Sequence, residues 1–235
     1  MSKGLLLVLT APSGCGKGSL RRALLAEDKN IRFCPSVTTR PPRPGEIDGE
    51  DYFFLTKEEF MGRKERGELC EHALVYGNYY GTPRKDIEDS LEAGVDVIIE
   101  KDVQGAKTLR KVFPDGIFVF VLPPSLDELQ RRIESRGTEG EEQKRIRLES
   151  ARKEMADLSA YDYVIINADL EKAKDRLRAI LAGERARFSA DAKLLPPDGQ
   201  RRACDDKPTV QGHNAPELQV RPRDRGSEKS EADCS

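Results

Sequence analysis

The chain has 235 residues, enough for one large domain with small insertions and a substantial buried core. Charged residues make up 35% while the net charge is only −2, which leaves neither a nucleic-acid footprint nor an acidic tail at whole-chain level, so many arginines and lysines must face acids or an anionic ligand. No apolar stretch approaches the roughly 20 residues that cross a bilayer, and Cys15, Cys34, Cys70, Cys204 and Cys234 form no C-x-x-C pair and no Cys/His cluster, so the expectation is no membrane or nucleic-acid partner, no zinc or disulfide framework, and a reduced, cytoplasmic setting.

The opening MSKGLLLVLT lacks the longer apolar region and cleavage site of a signal peptide, and residues 5–10 read as a strand. APSGCGKGSL, residues 11–20, nearly matches the phosphate-binding pattern G-x-x-x-x-G-K-[ST], with Ala11 at the first Gly and Gly18 at the hydroxyl. Gly14 and Gly16 let successive backbone N–H groups turn inward toward a phosphate. A helix predicted from near Lys17 through SLRRALLAE adds its positive end, and Lys17 reaches the β- and γ-phosphates. Ala serves at any position with negative φ, and Ser19 offers a hydroxyl one residue after Gly18, on the same helical turn. Ala11, Pro12, Ser13, Gly14, Cys15, Gly16, Lys17, Gly18 and Ser19 therefore form a candidate ATP-phosphate loop. For Cys15, a reactive thiol activated by the helix end and Lys17 competes with a small side chain of no chemical consequence; the second reading is preferred.

Residues 34–82 break the strand–helix rhythm with a Pro- and Arg-rich loop, then DYFFL, a helix, and the strand-and-turn pattern VYGNYYG, together a small insertion with its own mixed structure. Arg40 and Arg43, on the stiffened loop, and Tyr52 after it suit a phosphate monoester through forked charged hydrogen bonds and one phenol. VDVIIE (95–100), IFVFVL (117–122) and YVIIN (163–167) are β-branched runs of the kind buried in a parallel sheet. The helices between them carry start signals: Thr56 with Glu59 and Ser125 with Glu128 as capping boxes, and Asp169 as a cap. Strands alternating with helices argue for a doubly wound α/β core. Residues 134–158 are so charged that they read as exposed helix around a mobile loop. From about 190 the composition turns to Pro, Gly, Asp, Arg and Ser, which predicts a disordered tail.

SVTTRPPRPGEIDGEDYFF, ELCEHALVYGNYYGTP, IIEKDVQGA, LPPSLDELQRRIESRGTEGEE and YDYVIINADLEKA resemble, in order and spacing, the signature blocks of guanylate kinases, and GKG followed by Ser resembles the nucleoside monophosphate kinase branch of P-loop kinases. The resemblance runs from residue 4 to about 185. It implies a P-loop kinase α/β fold, a parallel core sheet with helices on both faces, an inserted GMP-binding subdomain and a helical lid. In this chain the core would be 1–33, 83–130 and 159–190, the insertion 34–82, the lid 131–158 and the tail 191–235. It further implies transfer of phosphate from ATP to GMP (and dGMP), with Mg2+, in purine nucleotide metabolism.

By the same resemblance Arg40, Arg43, Tyr52 and Tyr80 grip the phosphate of GMP, while Glu71, Ser36 and Thr82 read the guanine. One carboxylate accepts both N1–H and the N2 amine, where adenine would present a lone pair, and Ser36 and Thr82 would donate to O6. Glu100 is expected at the base or ribose, and Asp102, with Ser19, near the Mg2+ water shell. Lys17, Arg40, Arg43 and the lid arginines Arg132, Arg136 and Arg147 would neutralise the moving group, and Asn167 would lie on the adenine side of ATP. Lys101 departs from a position that is usually apolar in the family; it is expected to point to the strand's opposite face and snorkel to solvent. Two rival readings are a monophosphate kinase of other base specificity, against which Glu71, Tyr80 and Thr82 argue, and a guanylate-kinase-like peptide-binding scaffold. Such scaffolds typically lose phosphate-loop or lid residues, whereas Gly16, Lys17, Arg136 and Arg147 are all present and no SH3- or PDZ-like sequence flanks the domain.

Overall fold

The computed structural model describes residues 3–75, 77–135, 141–156 and 158–187, apart from the side chains at 141 and 143. The expected tail and Arg136 lie outside the described residues, whose helices include none long and apolar enough to cross a membrane.

A five-stranded parallel sheet forms the centre, in the order β2 (Ile31–Phe33), β7 (Asp96–Lys101), β1 (Leu6–Thr10), β8 (Ile117–Leu122), β9 (Tyr163–Ile166). β1 is buried along its whole length because strands and helices cover it on all sides, which is why its sequence is a continuous apolar run rather than an alternating one. Leu7, Leu9, Ile98, Val119 and Val121 face one helical layer, meeting Leu20 and Leu24 of α1 (Lys17–Glu27), Leu129 and Ile133 of α5 (Leu126–Glu134) and Leu177 of α7 (Leu170–Ala186). Leu6, Val8, Val97, Ile99 and Phe118 face the other, formed by α3 (Arg84–Glu92) and α4 (Val103–Val112) through Ile87, Leu91, Ala106 and Leu109. Each of the buried Val, Leu, Ile and Phe side chains among these contributes about 1.5–3 kcal/mol of transfer free energy.

A second, four-stranded sheet draws all its strands from the inserted segment: β4 (Tyr52–Phe54), β3 (Ser36–Thr38), β6 (Asn78–Pro83) and β5 (Leu69–Val75). β5 and β6 are an antiparallel hairpin whose turn uses Gly77 at φ 81°, while β3 and β4 run parallel across the proline-rich loop. α2 (Lys57–Glu65) starts on a complete capping box, Thr56 accepting from the backbone of Glu59 and Glu59 returning the bond, and packs Phe60 onto Val37 and Leu69.

Three expectations are corrected. Ser125 accepts from the Glu128 backbone, but the box is not closed, because the Glu128 carboxylate binds Arg131 and Arg132 instead. The charged segment forms α6 (Glu141–Met155), which is not wholly exposed: Leu148, Ala151 and Met155, spaced on one face, pack into the α1-side core. Lys101 does not snorkel; it is 7% exposed and its ammonium is held inside the protein. The strand alternation did place it opposite Glu100, on the face of Val97 and Ile99, but that face is roofed by β3 and β5 of the inserted sheet rather than by water.

Candidate functional site

The loop after β1 is built around two left-handed glycines, Gly14 at φ 96° and Gly16 at φ 81°. Gly16 is the N-cap of α1, so the free N–H groups of the first turn open toward the loop's concave side. A Cβ on Gly16 would stand 2.6 Å from Asn167 Nδ2, which itself donates to the Cys15 carbonyl at 2.8 Å. Asn167 thus braces the loop at the end of β9, and Arg132, donating to the Asn167 carbonyl at 3.2 Å and to Glu128 at 2.9 Å, stands beside it. Gly18 meets no such restriction, its nearest neighbours being side-chain tips 3.7 and 3.8 Å away, and Ser19 is exposed on the first helical turn.

Lys17 donates to the Lys101 carbonyl at 3.1 Å. Burial lowers its pKa, while Glu100 and Asp102 pull in the opposite direction. Asp102 caps α4 by accepting from Gly105 at 2.7 Å, and Glu100 pairs with Arg21 at 2.9 Å, the guanidinium lying over the Phe33 ring. Sequence reasoning missed Glu154, on α6: burial raises its pKa, and it interacts with both Asp102 and Lys17. A glutamate within a run of surface charge carries no mark of that inward placement.

Cys15 is fully buried, and burial pushes its thiol up to about 12; Arg132 and Lys17 do not offset this, so the reading of a chemically silent side chain holds. Burial likewise raises Cys34 to about 12 and Cys70 to about 11. All three are free thiols whose ordinary value is near 9. Above pH 9 the unfolded chain sheds these protons while the folded chain keeps them, so stability is full below about pH 9 and is lost progressively toward pH 12. Melting curves from pH 8 to 11 should show the midpoint falling, and more gently after Cys34→Ala with Cys70→Ala; equal slopes would show that the thiols are not responsible.

In the inserted segment Arg40, Tyr52 and Tyr80 come together. The Arg40 guanidinium lies 5.3 Å from the Tyr52 ring, and the two tyrosine rings meet edge-on at 6.2 Å. Burial works against the charge of Arg40, but hydrogen bonds with Glu46 and Tyr80 outweigh it and raise its pKa. Glu46, absent from the sequence reading, organises the loop: it accepts from Arg40 at 2.9 Å and from the Arg43 backbone at 2.8 Å, leaving the Arg43 side chain exposed. Its only sequence signal was an acid three residues after one of two arginines.

Behind this cluster, Glu71 is 8% exposed and Thr82 1%. Thr82 donates to Glu71 Oε1 at 2.6 Å, and Lys101 Nζ donates to the same oxygen and to Ser36 Oγ, both at 2.8 Å. An ionised carboxylate can only accept, so in this contact the single Thr82 proton is committed to Glu71. Arg147 is half-buried on α6. Arg40, Tyr52 and Tyr80 thus form one cluster, and Ser36, Glu71 and Thr82 a second, joined through Lys101.

A family model described as guanylate kinase matches residues 3–184. A guanylate kinase of Symbiobacterium thermophilum is 52% identical over 193 residues, 82% of this chain and 92% of that protein. One of Oceanobacillus iheyensis is 46% identical over 200 residues, covering 84% and 97% respectively. The crystal structure of guanylate kinase from Anaplasma phagocytophilum superposes with a TM-score of 0.66 at 40% identity, covering 79% of this chain and 88% of that one.

Proposed function

Because the chain belongs to the guanylate kinase family, an enzyme that transfers phosphate from ATP to GMP, we propose that the residues assembled here divide that work between two adjoining sites. The observation that carries the assignment is at residue 101: its carbonyl holds the loop lysine, Lys17, and its side chain holds the base-reading carboxylate, Glu71. Phosphate loop and base pocket therefore share a wall, as in-line transfer between two bound nucleotides requires.

ATP binds with its phosphates on the Gly14–Ser19 backbone and Lys17 at the β- and γ-phosphates, with Asn167 bordering the adenine end. GMP binds with its phosphate on Arg40, Arg43, Tyr52 and Tyr80 and its base against Glu71 and Ser36. One phosphate oxygen of GMP attacks the γ-phosphorus as the bond to the β-phosphate oxygen breaks, giving ADP and GDP with no covalent enzyme intermediate. Lys17, Arg40, Arg43 and Arg132 spread the developing charge, joined by Arg136 and Arg147 from the lid. Closure of that segment excludes water and with it wasteful ATP hydrolysis.

The hard oxygen donors Asp102 and Ser19 suit the water shell of a Mg2+ ion, which normally uses one or two protein oxygens together with substrate phosphates. The described residues contain no dedicated cluster of three acidic, His or Cys ligands. The chemistry such an ion would supply, held through water by Asp102 and Ser19, is neutralisation of charge on the phosphates. Three free buried thiols favour a reducing, cytoplasmic setting. Core, GMP-binding insertion, lid and tail keep the boundaries given above. A coupled assay across GMP, AMP, CMP and UMP tests the base assignment: GMP should exceed AMP by at least about 10³ in kcat/KM, and comparable turnover of the two would refute it.

A further inference from the structure

We propose that Lys101 is a specificity-determining residue of the base pocket, donating a hydrogen bond to the 6-oxygen of guanine; this rests on the assignment of Glu71 and its neighbours as that pocket. An ionised carboxylate offers about four lone-pair positions. Two are occupied on Glu71, by Thr82 and Lys101. Two remain, the number that guanine requires for N1–H and its N2 amine. On the adjoining edge the 6-oxygen needs donors, and Thr82 supplies none, since its proton is spent on Glu71. Ser36 accepts from Lys101, so its own hydroxyl proton is not spent on the lysine. Lys101 has three ammonium protons, two of them committed, to Ser36 Oγ and Glu71 Oε1 at 2.8 Å each. Its third proton and that of Ser36 are the donors left over.

What the pocket leaves unsatisfied is therefore two donors beside two acceptors, the complement of the guanine edge. Adenine opposes this at both points: its 6-amine would face Lys101 and Ser36, and its N1 lone pair would face Glu71. Lys101 adds a repulsive element against the wrong base as well as an attractive one for the right base. Its cation also offsets the charge of the nearly buried carboxylate behind the base. A side chain without a donor at position 101 would leave the 6-position to Ser36 alone.

The test compares GMP with 6-thio-GMP at slightly acidic pH, where both bases keep the N1 proton and differ in the strength of the acceptor at position 6. Lys101→Met should lower kcat/KM for GMP by about tenfold to a hundredfold, the range for a hydrogen bond from a charged donor, mostly through KM, with KM for ATP within about twofold. The decisive readout is the preference for GMP over 6-thio-GMP, which should fall at least about fivefold in Lys101→Met and recover in part in Lys101→Arg, which keeps a cation facing Ser36 and Glu71. A purely structural lysine would lower both substrates equally; an unchanged preference overturns the proposal. If Lys101→Met does not fold, the unmutated enzyme decides, since a preference for GMP over 6-thio-GMP near unity leaves no role for a donor at position 6. Failure of the unmutated enzyme to turn over GMP would instead overturn the assignment of the pocket itself.

Discussion

Glu71→Gln lowers kcat/KM for GMP by about a thousandfold, roughly 4 kcal/mol of transition-state stabilisation, while KM for ATP stays within about twofold. Two effects add. The amide presents one acceptor and one donor where the carboxylate presented two acceptors, so either N1–H or the N2 amine of guanine meets another N–H. Removing the negative charge also strands Lys101, whose ammonium is 7% exposed and has Glu71 as its counter-charge. An unpaired buried cation is costly, so the variant also melts at a lower temperature than the parent enzyme. Steady-state kinetics with each substrate varied in turn, together with a thermal melt, measure all three consequences. Equal losses for ATP and GMP would mean that Glu71 maintains the fold and does not read the base.

Those consequences show where the sequence was legible and where it was not. The phosphate loop was readable because its demands are local: Gly14 and Gly16 carry positive φ within a few residues of the lysine they serve, and β1 before them is a continuous apolar run. The caps at Thr56 and Asp169 were readable for the same reason, each bond spanning three residues. Lys101 was misread because its partners, Ser36 and Glu71, lie 65 and 30 residues away. Strand alternation assigned its face correctly but says nothing of what covers that face. The same distance hid Glu154, whose approach to Lys17 depends on how α6 lies across the core. β2 and β3 escaped because three residues are too few for a periodic pattern; both are held by neighbouring strands more than by their own composition. Resemblance pointed to Glu71, Ser36 and Thr82 as one group, and the structure adds the hydrogen bond from Thr82 to Glu71, which no local pattern shows.

Lys17→Met should reduce kcat by about a thousandfold while the protein stays folded, because the ammonium acts where charge moves from γ-phosphate to acceptor and has no apolar substitute. The structure adds a condition on pH. Burial lowers the pKa of Lys17 from its ordinary 10.5, with Glu100 and Asp102 opposing the shift only in part. Below that lowered pKa the side chain is charged and attracts phosphate; above it the side chain is neutral and the attraction is lost. The alkaline limb of kcat/KM for ATP, which reports the free enzyme, therefore falls below pH 10.5 rather than at it. In kcat the limb moves to higher pH, since bound phosphate stabilises the charged form. Lys17→Arg retains part of the activity and loses this limb, because guanidinium remains charged throughout the range. An alkaline limb at the same pH in Lys17→Arg and in the parent would assign it to another group, leaving Lys17 as a static charge in this reaction.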